Sequence, residues 1–283
     1  MAGIAWVNGR LLDPEQPAIS PLDGGFMYGE GLFETMRAYG GKVFWLGQHL
    51  ERLILAAKEL DFTPPTASAL TSAVLEAVDA SDMPEAMVRL TVTPGAAGAP
   101  TPTIVALVRP LALPSADLYE SGCRAVSVPA THRSDSPLRR IKSLNYLDKL
   151  LAQRAAARQD AHEAILVDPD GCVVEGAMRN VFAVFAGRLV TPPISRGFLP
   201  GITRATVLEI AQKEGIASHE RDIALTELYT ADEAFLTSSI AEIIPIASVD
   251  GNEMRAARPG PVTMGMMRGY RSAVEREVGG SDH

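Results

Sequence analysis

The chain reads as an α+β protein in two domains, a smaller N-terminal α/β domain over residues 1–115 and a larger C-terminal domain over 116–283. Three observations point there. Strand-like and helix-like runs are mixed without the strict strand–helix alternation of a doubly wound sheet. Proline and serine cluster in Leu111 to Ser115 and again in Pro129 to Leu138, which places a boundary near residues 112–120. A length of 283 residues, 47% apolar and 21% charged, suits a soluble globular chain with room for two cores.

Ile4 to Val7 and Arg10 to Leu12 flank Asn8-Gly9 and read as a hairpin. Asp23 to Gly31 holds four glycines, which allow close backbone approach and positive φ. Leu32 to Tyr39 and Lys42 to Trp45 read as paired strands around Gly40-Gly41. Gln48 to Leu60 has Leu50, Leu53, Ile54 and Ala57 at helical spacing, and Ala67 to Val78 forms a second helix. Ala86 to Thr93 and Thr103 to Val108 look like buried strands.

Beyond the boundary, Ser143 to Arg158 is expected to be a helix with Leu144, Leu147, Leu150 and Leu151 on one side. Ala164 to Val167, Cys172 to Glu175, Val181 to Phe185 and Leu189 to Thr191 read as an antiparallel strand series, with Asp168 to Gly171 as a turn. Thr203 to Glu214 is a helix stopped by Gly215, and Thr226 to Tyr229 a helical turn. Phe235-Leu236 is a strand running into Thr237-Ser238-Ser239, and Val262 to Val278 a closing helix.

Composition excludes several classes. A net charge of −8 argues against a nucleic-acid surface. Two cysteines allow at most one disulfide, and five scattered histidines show no metal-ligand spacing, so no metal is expected. No apolar run approaches the ~20 residues of a membrane span. The N-terminus lacks the basic start and long apolar core of a signal peptide, so a cytoplasmic location is expected.

The chemistry centres on Lys142, one of five lysines, in Arg140-Ile141-Lys142-Ser143-Leu144-Asn145-Tyr146. It is either a solvated surface residue or an amine for Schiff-base chemistry with a carbonyl compound such as pyridoxal phosphate. Such a cofactor needs a lysine for its aldehyde, an acid for its ring nitrogen, and amides with hydroxyls for its phosphate. Glu175, in Val174-Glu175-Gly176, is a surface charge or the acid. Gly201-Ile202-Thr203 is an ordinary helix start or a phosphate site. Thr237-Ser238-Ser239 is a polar turn or a further set of donors. Arg52, in His49-Leu50-Glu51-Arg52-Leu53, is a surface ion-pair partner or a phosphate clamp.

Together these segments resemble the fold-type IV pyridoxal-phosphate enzymes, the class IV aminotransferase family. That family includes branched-chain and D-amino-acid aminotransferases, (R)-selective amine transaminases and 4-amino-4-deoxychorismate lyases. The resemblance runs from Val7-Asn8-Gly9 to Pro245. Its most specific parts are Tyr28 to Arg37, His49 to Leu53, Ile141 to Tyr146, Glu175 to Phe182, Gly201 to Arg204 and Ser238 to Pro245. It implies a D-amino-acid aminotransferase-like fold with the cofactor between two domains, and a homodimer. It also implies roles. Lys142 would carry the Schiff base and move protons, and Glu175 would pair with the pyridine nitrogen. Arg52, Ile202 through its N–H, Thr203, Ser238 and Ser239 would hold the phosphate, with Tyr146 near the ring. Phe33, Glu34, Ile240 and Ala241 would line the substrate pocket.

The subfamily is mixed. Thr35 stands where branched-chain enzymes commonly have glycine, and only Ser143 and Leu144 separate Lys142 from Asn145, as in D-amino-acid transaminases and the lyases. Ala86-Met87-Val88-Arg89 resembles the branched-chain strand that carries a carboxylate-associated arginine. Arg89 is that residue or an arginine on a sheet face. The loop Pro94 to Pro100 lacks the Arg-x-His trap of the familiar D-amino-acid enzymes, and Arg139 and Arg140 offer other cations. The expected activity is transfer of an amino group between a small D- or aliphatic amino acid and a 2-oxo acid. The alternative is 4-amino-4-deoxychorismate lyase, releasing 4-aminobenzoate and pyruvate. A branched-chain aminotransferase and an (R)-amine transaminase are further alternatives.

Overall fold

The computed structural model describes residues 3–16, 19–98, 101–130, 136–256 and 259–279. The chain divides into two compact units: Met1–Ala112 with Ile141–Asn145 and Val274–His283, and Leu113–Arg140 with Tyr146–Ala273.

In the first unit, β1 (Ile4–Val7) and β2 (Arg10–Leu12) form the expected hairpin, with Asn8 and Gly9 both at positive φ. The glycine-rich run becomes the short helix α1 (Gly24–Tyr28), capped by Asp23 and ended by Gly29 in the left-handed region. Asp23 also accepts hydrogen bonds from the Thr93 and Thr103 hydroxyls at 2.9 and 2.7 Å, so it ties this run to the sheet. There follow β3 (Leu32–Tyr39), β4 (Lys42–Val43), α2 (Leu46–Glu59), α3 (Ala67–Ser81), β5 (Ala86–Thr93) and β6 (Thr103–Pro110). The sheet order is β2-β1-β6-β5-β3-β4, with antiparallel pairing throughout. Helix α2 packs on β3 through Leu50, Leu53, Ala56 and Ala57, and α3 packs on β1 and β6 through Leu70, Ala73, Val74 and Ala77. The apolar spacing predicts this stripe, and truncating a buried Leu53 to alanine should cost about 2–5 kcal/mol.

The segment around Lys142 differs from the sequence expectation. The helix begins at Leu147, and Lys142–Leu144 pairs with a strand edge instead of winding into the helix. Ser143 bridges Leu32, the Phe33 N–H donates to Lys142 O at 2.9 Å, and the Leu144 N–H donates to Gly31 O at 2.9 Å. Helical periodicity continues through Leu144, but the strand edge at Gly31–Phe33 captures the backbone first. Glycine is required at two points opposite this segment. A Cβ on Gly31 would meet Val92 O and Leu144 Cδ1 at 2.8 Å, and Gly29 faces Asn145 Oδ1 with φ of 69°.

The second unit holds α4 (Ala116–Ser121), β7 (Cys123–Pro129), α5 (Pro137–Arg140), α6 (Leu147–Ala157), β8 (Glu163–Val167), β9 (Val173–Gly176), β10 (Asn180–Phe185) and β11 (Arg188–Thr191). Then come α7 (Ile202–Lys213), β12 (Ser218–Glu220), α8 (Leu225–Leu228), β13 (Glu233–Ser238), β14 (Glu242–Val249), β15 (Asn252–Glu253) and α9 (Pro261–Gly279). The sheet order is β12-β11-β10-β13-β14-β7-β8-β9, with β15 on β14.

The strand series expected from Ala164 to Thr191 is therefore two antiparallel hairpins, β8–β9 and β10–β11, with β13, β14 and β7 between them in hydrogen-bonding order. Strand β7 runs parallel to both β14 and β8. On α6 the buried side is Ala152 and Ala156, while Leu147, Leu150 and Leu151 are exposed. The small alanines let the helix approach β8 and β7 closely; the leucine spacing predicts the opposite face. Of the stretch Pro129 to Leu138, residues 131–135 lie outside the described residues, as do residues 99 and 100 of the loop after β5.

Candidate active site

The candidate residues divide between the two units. In the first, strand alternation sends Phe33 and Glu34 to opposite faces of β3. Phe33 is buried on the face away from α2. Arg89 on β5 pairs in register with Thr35, so it is a diagonal neighbour of Phe33, and its guanidinium carbon lies 3.7 Å from the ring centroid. Because Ser143 lies opposite Leu32, Lys142 falls on the Phe33 face, with Nζ 4.5 Å from the same centroid. An amine and a guanidinium thus share one apolar ring.

Glu34 turns the other way, onto α2. Its carboxylate accepts from His49 Nδ1 at 2.7 Å, from Arg52 Nε at 2.8 Å and from Arg52 Nη2 at 2.6 Å. Burial alone would raise the carboxyl, but the Arg52 charge, the His49 contact and their hydrogen bonds outweigh it and hold the pKa at about 2. Burial pushes His49 down, against the pull of Glu34 and with the help of the Arg52 and Lys142 charges. Glu34, which the family resemblance implies lines the substrate pocket, has its carboxylate engaged by α2, and Arg52 is forked onto that carboxylate. Sequence reading assigns no role to His49. The signal is its i,i+3 spacing to Arg52, which puts both on one helix face.

In the second unit, Glu175 on β9 is buried, and its Oε1 lies 2.5 Å from Lys149 Nζ on α6. Lys149 has no role in the sequence reading, since nothing local links residues 26 apart. Tyr146 is half-buried immediately before α6. Arg139 is buried, which lowers its pKa, and it lies in the field of Glu175, Asp168 and Asp148. The turn after Glu175 is anchored by the fully buried Glu163, which accepts from the Met178 N–H at 3.1 Å and from Arg179.

Helix α7 starts at Ile202. Its N-cap is Gly201, and no side chain among the described residues caps its first turn. Orphan N–H groups and the positive end of the helix dipole therefore point out of the N-terminus. Thr203 in that turn is buried. Asn180 donates to Leu199 O at 3.1 Å, and a Cβ on Gly201 would overlap Asn180 Oδ1, so only glycine lets the two segments approach. Thr237, paired with Asn180 across β13 and β10, has a buried hydroxyl without a hydrogen-bond partner among the described residues. Ser238 Oγ accepts from the Ala241 N–H at 3.3 Å, which closes the turn Ser239-Ile240-Ala241; Ala241 is buried, and the other two are half-buried.

An uncapped helix start, a glycine that admits close approach and an orphaned hydroxyl make a donor set suited to a phosphate. In residue type, the lysine beside the buried Phe33 ring in the first unit and the buried Glu175 carboxylate in the second match the amine and the acid that pyridoxal phosphate uses. Among the described residues no cluster of histidine, cysteine and carboxylate side chains could hold a metal ion.

Comparison with known proteins agrees. The model of the family "Amino-transferase class IV" matches residues 31–249. A Methanocaldococcus jannaschii protein provisionally named a branched-chain-amino-acid aminotransferase is 38% identical over 269 residues, covering 91% of this chain and 92% of that protein. The D-alanine aminotransferase of Bacillus licheniformis is 33% identical over 281 residues, covering 96% and 97%. The PLP-bound form of a hypothetical aminotransferase from Mycobacterium tuberculosis superposes with a TM-score of 0.85 at 26% identity, covering 95% of this chain and 98% of that one. The chain belongs to the class IV aminotransferase family and is a pyridoxal-phosphate-dependent transaminase of fold type IV.

Proposed function

We propose that this transaminase moves an amino group between a small D- or aliphatic amino acid and a 2-oxo acid, with Lys142 as the residue that carries the cofactor covalently. The observation behind this reading is the shared Phe33 ring, with the Lys142 amine at 4.5 Å and the Arg89 guanidinium at 3.7 Å. Bound pyridoxal phosphate supplies an aldehyde for the amine and a ring that withdraws electrons from the substrate Cα. Lys142 Nζ takes the proton from that carbon as general base. Arg89 offers the substrate carboxylate a cation on the same face. Glu175 binds the ring nitrogen and keeps it protonated. The first-turn N–H groups at Ile202 and Thr203, with Ser238, Ser239 and Arg52, hold the phosphate. Ile240 and Ala241 line the substrate pocket. Relatives named for branched-chain amino acids and for D-alanine support a small D- or aliphatic amino-acid substrate.

The resemblance also carries a homodimer, and exposed Phe26, Met27 and Tyr28 in one unit and Leu147, Leu150 and Leu151 in the other offer apolar surface for it. Light scattering at a monomer mass of 30.1 kDa would remove the dimer. A reducing compartment fits the two free thiols, Cys123 and Cys172. No helix among the described residues is long and apolar enough to cross a membrane.

The test is spectral titration of the holoenzyme with D-alanine, L-leucine and (R)-1-phenylethylamine separately, then with 4-amino-4-deoxychorismate. Loss of the visible band with one amino acid, restored by a 2-oxo acid, supports the reading and names the donor. Silence with the amines but release of 4-aminobenzoate overturns it in favour of the lyase.

A further inference from the structure

Glu34 is a costly side chain to bury. It is fully buried and ionised, a state that is tolerated only with complete pairing. The pairing comes from three donors on one face of α2: His49 Nδ1–H, Arg52 Nε–H and an Arg52 Nη2–H. An ionised carboxylate is acceptor-only, so the proton between Glu34 and His49 sits on Nδ1. Burial lowers the His49 pKa and so disfavours a second proton there, against the pull of Glu34. The His49–Glu34 bond thus fixes the carboxylate, and the two-point fork fixes the plane of the guanidinium.

This matters because a free arginine is a poor clamp. It carries about 2 kcal/mol of rotamer entropy that must be lost when it grips an anion. An arginine already ordered by its fold loses little more on binding. If the trio only fastened α2 to β3, apolar residues of similar volume would do so without desolvating a charge.

Resting on the reading of Arg52 as a phosphate contact, we infer that Glu34 and His49 are positioning residues that pre-orient its guanidinium for the cofactor phosphate. The rival account is purely electrostatic. In it Glu34 only dilutes the positive charge of Arg52, and its removal tightens phosphate binding. The two accounts differ in sign.

The experiment measures dissociation constants of pyridoxal 5′-phosphate and of pyridoxal, which lacks the phosphate, for the apo forms of the unchanged chain, Glu34→Gln, Arg52→Ala and the double variant. Positioning predicts that Glu34→Gln weakens the phosphorylated ligand by about tenfold, with pyridoxal within about twofold, because a charge-assisted pair is replaced by a mismatched amide. The double variant should then bind no more weakly than Arg52→Ala alone. Equal or tighter binding of the phosphorylated ligand by Glu34→Gln overturns positioning, as does equal weakening of both ligands. No effect of Arg52→Ala removes the reading of Arg52 itself, and the inference with it. Should Glu34→Gln not fold, His49→Phe deletes the Nδ1 donor at similar ring volume and should give a smaller, about threefold, phosphate-specific loss; no such loss overturns the inference.

Discussion

Lys149 Nζ lies 2.5 Å from Glu175 Oε1, with 14% and 6% of the two side chains exposed. A carboxylate buried to this degree depends on cations around it. Lys149→Met should therefore destabilise the apo protein, by about 3 kcal/mol. A protonated ring nitrogen at Glu175 would replace the missing charge, so the holo protein should lose less. Thermal melting of both forms checks this. Equal losses with and without cofactor would separate Glu175 from the ring nitrogen.

Lys142→Ala should remove the visible absorption band of the holo protein and reduce turnover to background. Its fold should survive, because the hydrogen bonds that pair this segment with Gly31–Phe33 run between backbone atoms. Absorption spectra, turnover and melting temperature are the measurements, and normal turnover would refute the assignment of the lysine.

Acid stability should carry the mark of Glu34. Its pKa falls from 4.5 in the unfolded chain to about 2 in the fold. A depressed carboxyl stabilises the fold fully above the unfolded value, and that contribution disappears as pH falls through the folded value. The shift corresponds to roughly 3 kcal/mol. The stability gap between the unchanged chain and Glu34→Gln should therefore be widest above about pH 5 and close towards about pH 2. Denaturant unfolding across that range reads it, and a gap independent of pH contradicts it.

Gly201→Ala should misplace the start of α7. The new Cβ would overlap Asn180 Oδ1, so Asn180 must move and its bond to Leu199 O is lost. Overpacking of this kind costs about 1–3 kcal/mol. Cofactor affinity should fall with stability, whereas Gly187→Ala, at a turn with no atom within 4 Å of the new Cβ but φ of 75°, should cost stability alone. Cofactor titration of the two variants separates the effects.

Much of the fold is legible locally. Leu32–Tyr39 and Ala86–Thr93 stand at the ends their side chains predict, because β-branched and apolar runs bounded by glycine or proline carry their own limits. Helix α2 begins two residues before the expected Gln48. What is not legible depends on distant partners. The bridge pairing of Lys142–Leu144 comes from an edge more than a hundred residues earlier, which overrides a helical apolar pattern. The buried side of α6 is set by alanines against β8, not by its leucines. Motif residues such as Lys142, Glu175 and Thr203 can be picked out, but the partners of Glu34 and Glu175 cannot, since ion pairs leave no periodic trace.

The backbone bonds from Gly31 and Phe33 to Leu144 and Lys142 also constrain how the chain is made. During synthesis the first 112 residues emerge as a nearly complete antiparallel sheet whose edge at Gly31–Phe33 is still unpaired. That edge is closed only when residues 142–144 arrive, and they bring Lys142 with them. A ribosome stalled before this point would hold a sheet with an open edge, prone to pair with a neighbouring nascent chain. Closing this sheet edge and bringing Lys142 to Phe33 are thus one event in the life of the polypeptide.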